Sequence, residues 1–329
     1  DRMKHRIFNN TGMNTSEVGL GTWQLGGAAW GDVDDESALK ILETATNHGV
    51  HFWDTADVYG KGRSERLIGT FLQENPDEIF VATKLGRFPE PGGEANFSLN
   101  SFRAHTEASL KRLGVDRIDL TQLHCIPTEL LKSGEAFDWL RTLQKEGKIR
   151  HFGASVETAE EAEICLQQND LASLQIIFNI FRRKPLRFFE EAKEKNVALI
   201  VRLPLASGLL SGKYSKQTTF PENDHRNFNR DGQQFNVGET FAGLPFELGV
   251  ELAESLKAWV PEGMTMAQMA LRWVLDFDAV SVVIPGARTL SQVRDNAAVS
   301  EMPPLSPELH NRLKTFYEEK VKESIRGPY

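Results

Sequence analysis

Short apolar, β-branched runs recur along this chain. Each is followed by a stretch whose apolar residues repeat at helical spacing. The runs at 17–21, 51–54, 79–84, 118–124, 149–154, 174–178, 198–202 and 280–284 predict eight strands. Between the first two, Ala38, Ile41, Leu42 and Ala45 fall at i, i+3, i+4 and i+7, the stripe of an amphipathic helix. Gly49 stands just past it, where a helix stop is expected. Met266, Met269, Ala270, Trp273 and Val274 make a similar stripe late in the chain, and Pro76, Gly114 and Gly147 punctuate other helix ends.

Strands that alternate with helices build right-handed βαβ units around a parallel sheet. Eight such units in 329 residues predict an α/β fold, a closed (β/α)8 TIM barrel. An open doubly wound sheet would need a glycine-rich turn opening its first helix. The early candidate, Gly19-Leu20-Gly21-Thr22-Trp23-Gln24, lacks the third glycine and leads into more loop. Two regions stand outside the eight-fold pattern. Residues 6–16 predict an N-terminal β-hairpin turning at Thr11-Gly12, placed to plug the bottom of a barrel. Residues 211–243 follow the seventh strand. They are polar, weakly periodic and carry Pro221, Gly232, Gly238 and Gly243. No apolar stripe fixes them to a core, so they predict a long lid-like loop, mobile when empty. With a C-terminal helix and tail over 304–329 and no boundary in between, residues 1–329 read as one barrel domain.

Composition narrows the function. Hydrophobic residues at 40% and charged ones at 26% suit a packed globular protein. A net charge of −8 disfavours nucleic acid and anionic membrane as partners, since both want a basic surface. No apolar run approaches the roughly 20 residues of a membrane span. Cys125 and Cys165 make no disulfide framework, and the first residues lack the apolar core of a secretory signal. The expectation is a cytoplasmic monomer with a small-molecule partner.

Four proton-handling residues sit at or just past consecutive strand ends. Asp54 closes the second strand, and Tyr59 follows in Asp54-Thr55-Ala56-Asp57-Val58-Tyr59-Gly60. Lys84 closes the third strand and His124 the fourth. In a barrel these ends open on one face, the face where active sites lie. Singly, each has an ordinary structural reading; together they predict a site. The chemistry is coherent. Tyr59 has an O–H but a reference pKa near 10, so alone it is a weak acid. A lysine beside it favours the phenolate and eases proton release. Asp54 would hold Lys84 charged, and His124 would orient a carbonyl as an oxyanion-hole donor does.

The sequence resembles the aldo-keto reductase superfamily from Gly19 to about Val299. The segment Asp54–Gly60 followed by Ser64-Glu65 is similar to a first signature, Ile118-Asp119-Leu120 with Leu123-His124 to a second, and Ile284-Pro285-Gly286-Ala287-Arg288 with Gln292 and Asn296 to a third. The nearest branch is the bacterial one of inositol-operon and general-stress reductases. The resemblance implies NADPH-dependent reduction of aldehydes and ketones, with Tyr59 as proton donor and NADH as a possible second cofactor. It implies that Ser155 and Gln175 bind the nicotinamide carboxamide and that Phe178 stacks on the ring. Gly21, Thr22, Trp23 and Asp54 would complete that end. The pyrophosphate would lie along Leu205, Ser207, Gly208 and Leu210 with Lys213 near, and the adenosine end at Gly286, Arg288, Gln292 and Asn296. Arg288 matches a 2′-phosphate, which favours NADPH. Trp23 and Trp30, with Tyr59 and His124, would line the substrate pocket. The chain departs from the family's pattern at Val156, where Asn is usual, and at Phe178, where Tyr or Trp is usual.

Other features carry less. His5, His48 and His51 share no metal-ligand spacing, so no metal is expected. His124 and Cys125 are neighbours on a strand and should point to opposite faces, which excludes a dyad. Two rival functions stay open: an NAD(P)-linked sugar or polyol dehydrogenase, and a cofactor-sensing regulatory subunit resembling potassium-channel β subunits.

Overall fold

The structure, a computed structural model, describes residues 2–8, 11–27, 33–75 and 79–329. Pro76, Trp30 and the loop around Trp30 lie outside the described residues. Strands β1 (His5–Phe8) and β2 (Met13–Ser16) pair antiparallel as the expected hairpin. Among the described residues, eight parallel strands follow in one sheet, in sequence order around the barrel. They are β3 (Leu20–Gly21), β4 (Phe52–Asp54), β5 (Phe80–Leu85), β6 (Ile118–His124), β7 (Ile149–Ser155), β8 (Ser173–Ile177), β9 (Ala198–Arg202) and β10 (Val280–Val283). Helices such as Asp35–Asn47, Leu99–Leu113 and Met266–Leu275 connect them. This is the α/β TIM barrel that the alternation predicts.

The first strand and the last meet along a thin seam. Val18 bridges Val283, and Gly21 bridges Gly286. Gly19 N–H donates to Val283 O at 2.7 Å, Gly21 N–H to Pro285 O at 3.0 Å, and Val283 N–H to Glu17 O at 3.0 Å. The approach is close enough that a Cβ at Gly21 would stand 2.8 Å from Ile284 O, so only glycine fits.

Period-two alternation sorts the strand residues. Phe52, Phe80, Ala82, Leu120, Ala198, Ile200 and Val282 form a core inside the barrel. Their neighbours Trp53, Val81, Leu199 and Val283 face outward and join the large core under the helices. The hairpin closes the bottom: Phe8 belongs to the inner core, its ring 5.1 Å from Phe80 and 5.6 Å from Phe52. Arg6 ties the hairpin down by donating to the carbonyls of Leu275 (2.5 Å) and Val280 (2.7 Å). Outside, the helix Asp35–Asn47 starts at Asp34, whose side chain accepts the Ser37 N–H, and buries the predicted Ala38, Ile41, Leu42 and Ala45. Burial of each Ile or Leu contributes about 1.5–3 kcal/mol.

The 211–243 loop is better anchored than its sequence suggests. It folds into short helical turns at His225–Phe228, Val237–Glu239 and Phe241–Gly243. Phe241 is fully buried, with Phe220 and Phe246 packed on it at 6.0 and 4.9 Å. The Asn229 side chain accepts N–H bonds from Gln234 and Phe235. From the C-terminal tail, Arg326 donates to Gly243 O and Leu244 O and pairs with Asp231 at 2.7 Å. These anchors are irregularly spaced, which is why no apolar stripe marks them.

Candidate active site

Strand alternation dictates what reaches the top of the barrel interior. Phe52 points inward low in the barrel, so Asp54, two residues on, points inward near the top; Leu120, Gln122 and His124 repeat the rule on β6. Asp54 and Lys84 are 2% and 1% exposed, far too dry for lone charges, and each is the other's partner. Lys84 Nζ donates to Asp54 Oδ1 at 2.6 Å, to Thr55 O at 3.1 Å and to the Tyr59 hydroxyl at 3.0 Å. The other carboxylate oxygen, Asp54 Oδ2, accepts from Gln122 Nε2 at 2.9 Å and Gln175 Nε2 at 2.7 Å. Both oxygens of the buried carboxylate are thus satisfied. Tyr59 and His124 stand edge to face above this pair, and Trp23 stacks on Tyr59 from the other side at 6.2 Å.

The charge states follow from this packing. Burial alone would strip the proton from Lys84, but Asp54 and Tyr59 outweigh it and hold the ammonium charged, above its ordinary value. Burial also raises the Tyr59 phenol; Lys84 opposes this without reversing it, and Asp54 adds to the rise. Lys84 acts on this acid in the expected direction, through its charge and its hydrogen bond, and burial is the larger opposing effect. Burial holds His124 well below the usual histidine range, helped by the positive charges of Lys84, Arg87 and Arg202, so it is neutral at pH 7.

A cavity of about 610 Å³ opens over this group. Of the residues expected to hold a cofactor, Gly21, Thr22, Trp23, Asp54, Ser155, Gln175, Leu205, Ser207, Gly208, Lys213, Gly286, Arg288 and Gln292 line it. Three do not. Phe178 lies three residues beyond Gln175, which alternation puts on the opposite face. It is buried among Phe189, Trp273 and Phe277 on the helix side and does not line the cavity. Leu210 turns into the core and is fully buried, because positive φ at Ala206 and Ser207 reverses the chain there. Asn296 stays behind the wall and donates to Gly286 O at 3.5 Å, steadying the turn. Gln292 faces the cavity, but its Oε1 already accepts the Arg288 N–H at 2.7 Å and, in the capping box of the helix Leu290–Ala298, the Thr289 N–H at 3.3 Å. Val156 joins the helix-side core.

The cavity also contains residues that strand-end reasoning passed over: Arg87, Arg202, Phe235 and Glu239 among them. Arg202 ends β9, so the rule that selected Asp54 could have selected it. Glu239 and Phe235 arrive on the 211–243 loop, whose path no periodicity reveals. Cys125 lines the cavity beside His124 rather than facing away. It lies past the end of β6 with φ of 50°, which turns its side chain back inward. Burial pushes its thiol up to about 11, so it stays protonated and is no nucleophile. Cys125, Glu157 and Glu239 bring potential ligand atoms within 4.8 Å of one another, yet the cation among them is Arg202.

The donor pattern fits a nicotinamide. Gln175 spends its Nε2 on Asp54 and Gln122, which leaves Oε1 to accept a carboxamide N–H. Ser155 Oγ accepts from Arg202 Nη1 at 3.1 Å, which leaves its own hydrogen to donate to a carboxamide oxygen. At the other end of the cavity, Lys213, Arg226 and Arg288 supply positive charge for phosphates.

An eight-stranded barrel with this constellation at its C-terminal rim defines an oxidoreductase that works through a nicotinamide cofactor. The profile of the Aldo/keto reductase family matches residues 17–318, and the chain belongs to that family. It is 29% identical to aldo-keto reductase YhdN of Bacillus subtilis over 99% of this chain and 97% of that one. It is also 29% identical to the NADH-specific methylglyoxal reductase of Escherichia coli, over 90% of this chain and 93% of the other. The solved glycerol dehydrogenase AKR11B4 of Gluconobacter oxydans superposes with a TM-score of 0.78 at 28% identity, covering 100% of this chain and 99% of its own. The protein is an NAD(P)H-dependent carbonyl reductase by family.

Proposed function

We propose that the chain reduces small aldehydes and ketones with NADPH, and that Tyr59 delivers the proton. The observation that carries this is the buried relay Asp54–Lys84–Tyr59, with Nζ 2.6 Å from the carboxylate and 3.0 Å from the phenol oxygen. A bound nicotinamide supplies the hydride. Tyr59, raised above the ordinary tyrosine value, is fully protonated at neutral pH and so always loaded as a donor. When its proton moves to the carbonyl oxygen, the phenolate left behind meets the Lys84 ammonium, whose charge Asp54 keeps in place. Neutral His124 offers an N–H to the same oxygen and fixes its approach. Ser155 and Gln175 orient the carboxamide through one donor and one acceptor.

Arg288 stands at the cavity's cationic end and supports NADPH over NADH. The same groups run in reverse for an alcohol, so oxidation of a polyol is the same site under a different cofactor supply. Trp23, Tyr59 and Phe235 give the substrate an apolar wall opposite the charged one. Among the described residues no helix is long and apolar enough to cross a membrane. A cytoplasmic monomer built on one barrel domain is the setting we assign, with the 211–243 loop closing further over bound cofactor.

The test is a carbonyl screen with both cofactors, following nicotinamide absorbance, in wild type and Tyr59→Phe. The variant should lose at least about a thousandfold in kcat, the upper part of the range for general acid catalysis, with cofactor affinity within about twofold of wild type. Turnover near wild type in Tyr59→Phe would remove the assignment.

A further inference from the structure

Arg87 lines the cavity two residues past the end of β5, and the reaction as described does not use it. Its guanidinium is gripped along one edge only. Nε donates to His124 O at 2.8 Å and Nη2 to Cys125 O at 2.9 Å. Two successive carbonyls just above the fourth strand end therefore fix the plane of the fork. The other edge, Nη1 with the second hydrogen of Nη2, has no hydrogen-bond acceptor among the described residues. Glu157 Oε1 approaches Nη2 only to 3.9 Å, too far for a hydrogen bond. The Arg87 side chain is 40% exposed, so this open edge is within reach of a ligand in the cavity. Arg202, deeper in the same wall, offers no such edge, since its nitrogens are spent on Ser155, Val156, Gln175 and Glu239.

We propose that Arg87 binds a carboxylate on the substrate, so that the site prefers short aldehydes carrying a carboxylate at the far end over uncharged aldehydes of the same length. This rests on the reading above that aldehydes are reduced over Tyr59 and His124. The free edge of a guanidinium matches the two oxygens of a carboxylate. The fork is tied to the backbone of His124, the residue whose ring orients the reacting oxygen, so its distance from the reacting centre is set by one residue. Trp23 and Phe235 line the same cavity and suit the methylenes between the two ends. The carboxylate is a spectator in the chemistry. Hydride from the nicotinamide goes to the aldehyde carbon, the Tyr59 proton goes to its oxygen, and a hydroxy acid leaves. Glu157 is the competing group. It is partly buried among Arg87, Arg202, Glu239, Glu161 and the Cys125 thiol, and burial raises its carboxyl to about 7. Below that value it is neutral and the charge of Arg87 is unopposed. Above it the ionised Glu157 repels the substrate carboxylate, so the preference weakens as pH rises through about 7.

The experiment compares succinic semialdehyde with butanal, which match in chain length and differ in charge. The quantity read is the ratio of their kcat/KM values in wild type, Arg87→Met and Glu157→Gln, at pH 6 and pH 8. At pH 6 wild type should favour the charged aldehyde by at least about tenfold, the effect of one charge-assisted hydrogen bond. In Arg87→Met the ratio should fall by roughly tenfold to a hundredfold, chiefly through KM for the charged aldehyde. Butanal is the reference within each variant, so a general effect of releasing His124 O cancels. Glu157→Gln should keep at pH 8 the ratio that wild type shows only at pH 6. Equal efficiency for the two aldehydes in wild type overturns the proposal, and so does a ratio that survives Arg87→Met. Should Arg87→Met not fold or turn over, Glu157→Gln decides: a ratio at pH 8 no higher than that of wild type overturns the proposal. Failure of wild type to reduce either aldehyde would instead overturn the reading of the site as a carbonyl reductase.

Discussion

The rings of Tyr59 and His124 meet edge to face, with centroids 5.9 Å apart and planes at 88°. Each sits where burial favours its neutral form. The acid and the orienting group therefore share one wide pH window in which neither changes state.

The pH profile of carbonyl reduction should show this window. Tyr59 must carry its proton to act, and its folded pKa lies above the ordinary 10.0, so activity is present below that value and lost as pH rises through it. His124 titrates well below 6.5 and adds no break between pH 6 and 8; Glu157, which lines the same cavity, is raised by burial to about 7 and is the group that would titrate there. In Glu157→Gln the log(kcat/KM) profile should be flat across that range; a single-proton step near 6.5 that persists in this variant would mean that His124 is an ordinary titrating histidine.

Arg288→Ala should weaken NADPH by roughly tenfold to a hundredfold, the loss of about 1.5–3 kcal/mol for one charge-assisted contact. NADH should change much less. Isothermal titration with both cofactors measures this, and equal losses would show that Arg288 does not read the 2′-phosphate.

Phe178→Ala should destabilise the fold by about 3–5 kcal/mol, the range for a large aromatic removed from a core. The ring packs 4.7 Å from Trp273 and 4.9 Å from Phe189 on the helix side of the wall. Cofactor affinity of the folded fraction should stay within about twofold, a difference below 0.5 kcal/mol. Urea denaturation and fluorescence titration separate the two effects. A large loss of affinity at unchanged stability would place the ring at the cofactor after all.

Asp57 is fully buried, and burial, with Glu65 second, raises its carboxyl to about 8. The sign follows. In the unfolded chain this group releases its proton near 3.8; in the fold it keeps it to about 8. Its contribution to stability is complete below the lower value and lost as pH rises towards the upper one. Asp57→Asn, which is neutral throughout, should thus gain on wild type from pH 5 to 8, by at most about 1.4 kcal/mol per pH unit. Denaturation midpoints at several pH values test this; a constant difference would show that Asp57 is ionised in the fold.

The barrel was legible because its information is periodic. Alternation placed Asp54, Lys84 and His124 at strand ends, and the helix stripe over 38–45 buries the residues expected of it. The same alternation, applied to β8, separates Phe178 from Gln175 and puts its ring on the helix side, where the resemblance had put it at the cofactor. Arg202 stood at a predicted strand end, but its aim depends on acceptors just past β6 and in β7 and β8 that only the folded barrel brings together. Glu239, Phe235 and the anchoring role of Arg326 belong to a loop held by isolated contacts, and isolated contacts leave no period to read.

The seam between β3 and β10 has a consequence for how long the protein lasts. Few rungs join the first strand to the last, and the cavity spans the join: Gly21, Trp23 and Gln24 flank it on one side, and Gly286, Arg288 and Gln292 on the other. A dinucleotide lying there would clasp the two ends of the barrel. At a free concentration one hundred times its Kd, such a ligand adds about 2.7 kcal/mol against unfolding. Proteases that act on the opened barrel would then meet a target whose abundance follows the nicotinamide pool, so starvation for cofactor would shorten the enzyme's lifetime as well as idle it.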